Sequence, residues 1–278
     1  MNINEAWDCG RTSLAQASVD PQLDARLLLE FVLEVNHSFL IAHADQQLTD
    51  AQWQQYRHLI ERAQHKEPIP YLTKTAAFFG LDFHVSPAVL IPRPETEQLV
   101  ELALAWAKGK TGLLVCDVGT GSGCVAVSLA FHLPQAIVKA VDISAEALSL
   151  ARKNAARHTP HRIQFYQGNL LEPLPVQVDL IVANLPYIAR HEWTLVDDAV
   201  KWYEPTIALE GGASGLDLIS EMLKQSSSRL RPQGAIFLEI GWRQGLAVQQ
   251  LAQRCFPAAD ITVVADYAGH DRIVSIYT

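Results

Sequence analysis

At 278 residues, 49% hydrophobic and 19% charged, the chain is too apolar to be disordered and long enough for one large domain plus a small one. Its net charge of -8 argues against a protein whose main task is to coat nucleic acid, which needs clustered Lys and Arg, although a local basic patch stays open. Cys9, Cys116, Cys124 and Cys255 form no Cys-x-x-Cys pair, no apolar run is long enough to span a bilayer, and the N-terminus lacks a signal-peptide pattern, so the expectation is a reduced, cytoplasmic protein with no metal centre and no membrane contact.

The first seventy or so residues read as helices. Asp20-Pro21 opens one, with Asp as cap and Pro in the first turn, and Leu23, Leu27, Leu28, Phe31, Val32 and Val35 keep to a helical face. A second begins after Thr49 or Asp50, with Trp53, Tyr56, Ile60 and Ala63 at helical spacing, and closes before Pro68 and Pro70. Two short runs, Ala76–Phe79 and Phe83–Val85, flank Gly80 and predict a β-hairpin, with His84 on the strand surface. The expected boundaries are a helical domain over 1–72, a hairpin linker over 73–90 and a third region over 91–278.

In that third region a helix from about Glu95 to Lys108 precedes a regular alternation. Strands are expected at 113–118, 137–143, 163–167, 180–183 and 235–240, with helices ending at His132 and covering 145–158, 215–230 and 244–255. Strands at 261–265 and 272–277 finish the chain. Alternation of this kind implies a Rossmann-like, mostly parallel, doubly wound α/β sheet beside the small all-α domain. The last two strands lie too close for a crossover helix and should pair antiparallel.

Asp117-Val118-Gly119-Thr120-Gly121-Ser122-Gly123 follows the first of these strands and opens a helix. Its Gly-x-Gly-x-Gly spacing differs from the Gly-x-Gly-x-x-Gly of dinucleotide enzymes, and no Lys-Ser or Lys-Thr follows to make a P-loop. Asp142 ends the next strand, where a carboxylate can accept both ribose hydroxyls of a nucleoside. Asn169, after the third strand, can hydrogen-bond an adenine amino group while Leu170 packs on the ring. Each element alone is also compatible with an ordinary turn; together they favour an adenosine cofactor without pyrophosphate, which describes S-adenosylmethionine.

A further apolar strand ends in Asn184-Leu185-Pro186-Tyr187. This is similar to the Asn-Pro-Pro-Tyr motif of methyltransferases that modify planar exocyclic or amide nitrogens. Such a nitrogen is a poor nucleophile because its lone pair is delocalised. The Asn184 side-chain oxygen and the Leu185 carbonyl can accept its two N–H groups and hold it toward an electrophilic methyl, with Tyr187 stacked on the planar group. Leu185 replaces the first proline of the motif; the carbonyl survives, and Pro186 still restricts Leu185.

With these residues in place the chain resembles the HemK/PrmC family, the release factor glutamine N5-methyltransferases. The resemblance covers nearly the whole length. It adds Leu90–Glu97 (LIPRPETE), Tyr203-Glu204-Pro205, Gly211–Asp217, Glu239-Ile240-Gly241 and Ala268–Arg272. It implies a class I methyltransferase fold, S-adenosylmethionine as cofactor, and a bacterial class I peptide chain release factor as protein partner, methylated on the glutamine of its Gly-Gly-Gln loop. The helical domain would grip that partner, and Arg93 and Glu95 would lie at the mouth of the site. Read from the residues alone, Arg93 and Glu95 are equally a surface cation and a helix-start carboxylate. A monomer without direct nucleic-acid contact is expected. Two rivals stay open: an adenine-N6 or guanine-N2 nucleic-acid methyltransferase, and a non-catalytic adaptor that keeps the cofactor fold.

Overall fold

The computed structural model describes residues 1–278. It divides into two compact units, Met1–Thr75 with Asp198–Tyr203, and Ala76–Asp197 with Glu204–Thr278.

The first unit holds α1 (Ile3–Leu14), α2 (Pro21–Leu33), α3 (His37–Ala42), α4 (Asp50–Gln64) and α5 (Ile69–Thr73). Asp20 caps α2 through the Leu23 N–H, and Thr49 caps α4 in a reciprocal box with Gln52. The buried face of α2 is Ala25, Leu28, Leu29 and Val32, while Leu23, expected on that face, is exposed. Pro68 and Pro70 do more than end α4: they open α5, because a first-turn proline gives up an N–H that no helix bond would use. Tyr56 is buried among these helices, and its hydroxyl donates to the Ala25 carbonyl at 3.1 Å.

The expected hairpin follows, β1 (Thr75–Phe78) and β2 (Leu81–His84), with all but Thr75 in the second unit. A 3-10 turn at Pro94–Thr96 leads into α6 (Glu97–Ala107). There follow β3 (Leu114–Val118), α7 (Cys124–His132), β4 (Ile137–Asp142), α8 (Ala145–His158), β5 (Ile163–Gln167) and β6 (Val178–Asn184). After α9 (Asp198–Tyr203), which clusters with the first unit, come α10 (Asp217–Arg229), β7 (Leu230–Glu239), α11 (Gly245–Cys255), β8 (Asp260–Ala265) and β9 (Asp271–Tyr277). The sequence pattern pointed to no helix at α9. It also missed the first five residues of β7, which follow α10 directly and rejoin the β6 register through an irregularity at Val178/Leu180.

The seven strands lie in the order β5-β4-β3-β6-β7-β9-β8. All neighbours from β5 to β7 are parallel, and β9 is antiparallel to both β7 and β8. The strands are apolar on both faces because both faces are covered. Leu180 and Val182 join the core under α6 and α7, whereas Ile181 and Ala183 join the core under α10 and α11. From β3 the chain winds outward to β4 and β5, then returns to β6 on the other side of β3. Open sheets bind ligands at that reversal, beyond the C-terminal strand ends.

Candidate active site

The loop after β3 and the end of β6 meet at this reversal. Gly119 N and Thr120 N both donate to the Val141 carbonyl at the end of β4, at 2.9 and 3.0 Å, which draws the glycine loop against the neighbouring strand. Asp117 anchors it from below: one carboxylate oxygen accepts the Thr120 hydroxyl at 2.6 Å and the Ala126 N–H at 3.1 Å. Burial pushes Asp117 up to about 7, although these two hydrogen bonds favour its charge. Asp142 accepts Gly121 N at 2.8 Å and Ser144 N at 2.9 Å, one on each oxygen, and keeps lone pairs for further donors. Burial raises its carboxyl as well.

A cavity of about 200 Å³ opens between these groups. Its walls are Leu90–Arg93, the loop from Gly119 to Ser122, Asp142–Ser144, Gly168–Leu170, Asn184–Pro186, and Ile207, Ala208 and Leu218. Asn169 Nδ2 donates to Glu172 at 3.1 Å, which leaves its side-chain oxygen as an acceptor. Leu170 takes a left-handed conformation, φ 50°, and is buried.

At the tip of β6 the Asn184 amide nitrogen donates to the Thr96 hydroxyl at 3.1 Å. No group of the chain donates to the Asn184 side-chain oxygen or to the Leu185 carbonyl. Leu185 itself is buried, with a methyl beside Gly119, so the residue that replaces proline packs under the glycine loop.

Three expected site residues lie off this cavity. Gly123 caps α7 at φ 81°, and a Cβ there would meet the Ala151 Cβ at 3.0 Å, so this glycine serves the close approach of α7 to α8. Tyr187 turns its ring toward Gly241 and its carbonyl accepts from Gln244 at 2.9 Å. Glu95 is exposed on the 3-10 turn. Arg93 does line the cavity, paired with the buried carboxylate of Glu204, which also accepts the Ile91 N–H at 3.2 Å. Cys116 and Cys124 are buried free thiols, and burial pushes Cys124 up to about 12.

Residues 5–73 match the model of the PrmC N-terminal domain, and residues 99–205 match the methyltransferase small domain. The release factor glutamine methyltransferase of Koribacter versatilis is 39% identical over 277 residues, 99% of this chain and 98% of that one. The enzyme of the same description from Moorella thermoacetica is 38% identical over 280 residues, 100% and 99% of the two chains. The chain belongs to the release factor glutamine methyltransferases. Among solved structures, a 16S rRNA N2 methyltransferase of T. thermophilus in complex with AdoMet and guanosine superposes with a TM-score of 0.54 at 22% identity, over 73% of this chain and 49% of that one. A methyltransferase from Pyrococcus furiosus gives 0.51 at 17% identity, over 72% and 90%. These two share the class I methyltransferase fold.

In this member of the release factor glutamine methyltransferases, spacing alone did not reveal Thr96, Asp117, Glu204 and Glu239 as parts of the site. Asp117 stood in the glycine-loop motif, and the other three stood in runs that carried the family resemblance without a role. Thr96, Glu204 and Glu239 lie far apart in sequence, and only the fold brings Thr96 and Glu239 to Asn184 and Glu204 to Arg93. Among the chain's His, Cys, Asp and Glu side chains, no group of three or more is placed to hold a metal ion, and no helix is long and apolar enough to cross a membrane.

Proposed function

We propose that this chain transfers the methyl group of S-adenosylmethionine to N5 of a glutamine side chain, in the Gly-Gly-Gln motif of bacterial class I peptide chain release factors. The observation that carries the reading is the pair of acceptor oxygens at the end of β6, on Asn184 and Leu185, beside a cavity whose other walls suit an adenosine.

The residues present fit that cofactor. Gly121 has φ 55° and open space where a Cβ would be, so the loop backbone can lie against a ligand. Asp142 retains acceptor capacity for ribose hydroxyls, the Asn169 oxygen can take an exocyclic amino group, and Leu170 offers an apolar face. When bound, S-adenosylmethionine supplies an electrophilic methyl on a sulfonium. The chain contributes position and electrostatics. Asn184 and the Leu185 carbonyl accept the two N–H groups of the target carboxamide, which raises electron density on its nitrogen and aims the lone pair. Orientation of this kind is worth on the order of 7–11 kcal/mol at best. The methylated nitrogen is acidic enough to release its proton to water, so no strong base is required.

Recognition of the release factor is assigned to the helical unit, Met1–Thr75, supported by its match to the PrmC N-terminal domain. The enzyme is taken to act as a monomer in the cytoplasm, without direct nucleic-acid contact. Incubation with release factor, DNA and rRNA and labelled cofactor tests the whole reading. Mass spectrometry should find one added methyl on the Gly-Gly-Gln glutamine; label in nucleic acid instead would overturn it.

A further inference from the structure

Asn184 and Glu239 are register partners at the ends of the adjacent parallel strands β6 and β7. Glu239 and Thr96 are each 2% exposed. The Asn184 amide nitrogen donates to the Thr96 hydroxyl at 3.1 Å, and both side chains lie near the Glu239 carboxylate and favour its charge, while its Oε2 has no donor in the chain. A primary amide is almost symmetric in shape; its ends differ in that one accepts and the other donates. Above about pH 7 the buried Glu239 is ionised, and an ionised carboxylate only accepts. With that carboxylate and the Thr96 hydroxyl behind it, Asn184 turns its NH₂ inward and its oxygen outward. The reversed amide would set oxygen against carboxylate and leave a buried acceptor unmatched.

We propose that Glu239 and Thr96 are positioning residues that fix the orientation of the Asn184 amide, and so make the site select a side chain that donates two N–H groups over an isosteric carboxylate. This rests on the reading of Asn184 as an acceptor for the target amide. It goes further in assigning the choice of glutamine over glutamate to two residues behind Asn184. A site that presents two fixed acceptors rejects a carboxylate because acceptor would then face acceptor, a device of repulsion as much as attraction. If the amide were free to reverse, its NH₂ would greet a carboxylate and that rejection would weaken.

The test uses the full chain, Glu239→Gln, Thr96→Val and Thr96→Ser, with a bacterial class I release factor carrying either glutamine or glutamate at the target position. For Glu239→Gln and Thr96→Val the turnover number should fall about 10- to 100-fold while affinity for S-adenosylmethionine is kept. The glutamate-bearing release factor, a poor competitor against the wild type, should compete about tenfold better against both variants. Thr96→Ser keeps the hydroxyl and should stay within about threefold of the wild type on both measures. Should Glu239→Gln fail to bind cofactor for want of folding, Thr96→Val decides. Cofactor binding, turnover and discrimination all unchanged in the foldable variants would overturn the proposal and leave the role of Asn184 standing. Full activity in Asn184→Ala would overturn both.

Discussion

Arg93 and Glu204, 111 positions apart, form an ion pair in which the Glu204 carboxylate is 2% exposed and the arginine 34%. The same carboxylate accepts the Ile91 N–H, so one buried group holds two points of the Leu90–Arg93 wall of the cavity. Removing it strands a guanidinium and a backbone donor. Glu204→Ala should therefore lower stability by about 3 kcal/mol, the lower end for a broken buried pair because Arg93 is partly solvated. Affinity for S-adenosylmethionine should fall with it. Denaturant unfolding and calorimetric titration read the two effects, and a variant unchanged in both would show that the wall is held by something else.

Asn184→Ala removes one of the two acceptors without touching the cofactor loop. Methyl transfer should drop by about 100-fold or more, comparable to the loss of one oriented group at a reacting centre. Cofactor affinity should stay within about threefold, because the lost contact matters mainly in the transition state. Single-turnover methylation of release factor is the direct measure.

Gly123 and Gly109 have similar backbone angles, φ 81° and 79°, but different surroundings. A Cβ at Gly109 meets nothing within 4 Å, so Gly109→Ala should cost only the left-handed strain of about 1–2 kcal/mol. At Gly123 the same strain is joined by the crowding against Ala151, and Gly123→Ala should cost roughly 2–4 kcal/mol. Adding Ala151→Gly should recover part of the difference. Equal melting temperatures for the two single variants would rule out this account of α7 against α8.

Stability should fall as pH rises from about 5 to 8. Burial lifts Glu239 from its ordinary 4.5 to about 7, over the opposing influence of Thr96, Arg272 and Asn184. Between those values the folded chain holds a proton that the unfolded chain has lost, so folding is favoured by acid and the advantage is gone above about 7. Asp117, also pushed up to about 7, acts in the same direction. Asp142, raised by burial as well, adds to them, and Glu239→Gln removes one of these contributions and should flatten the decline. Thermal melts across this range would show parallel curves if Glu239 did not contribute.

What could be read along the chain was whatever depends on neighbours in sequence. Helix caps such as Asp20 and Thr49, the alternation of strands and helices, the glycine loop after β3 and the antiparallel close at β8 and β9 all follow from local periodicity and connection length. The same local reading failed at α9 and the start of β7, where short or continuous segments carry no distinctive period.

Only the tertiary structure decided which side chains face the cavity and which support it. Tyr187 adjoins Pro186 in sequence yet packs on Gly241, because side-chain direction at a strand end is set by what packs there. Thr96 reaches Asn184 across 88 positions, and Glu239 reaches it through strand register. Buried polar groups must find partners wherever the sheet order puts them, and that order is fixed by burying both faces of the strands, not by spacing along the chain.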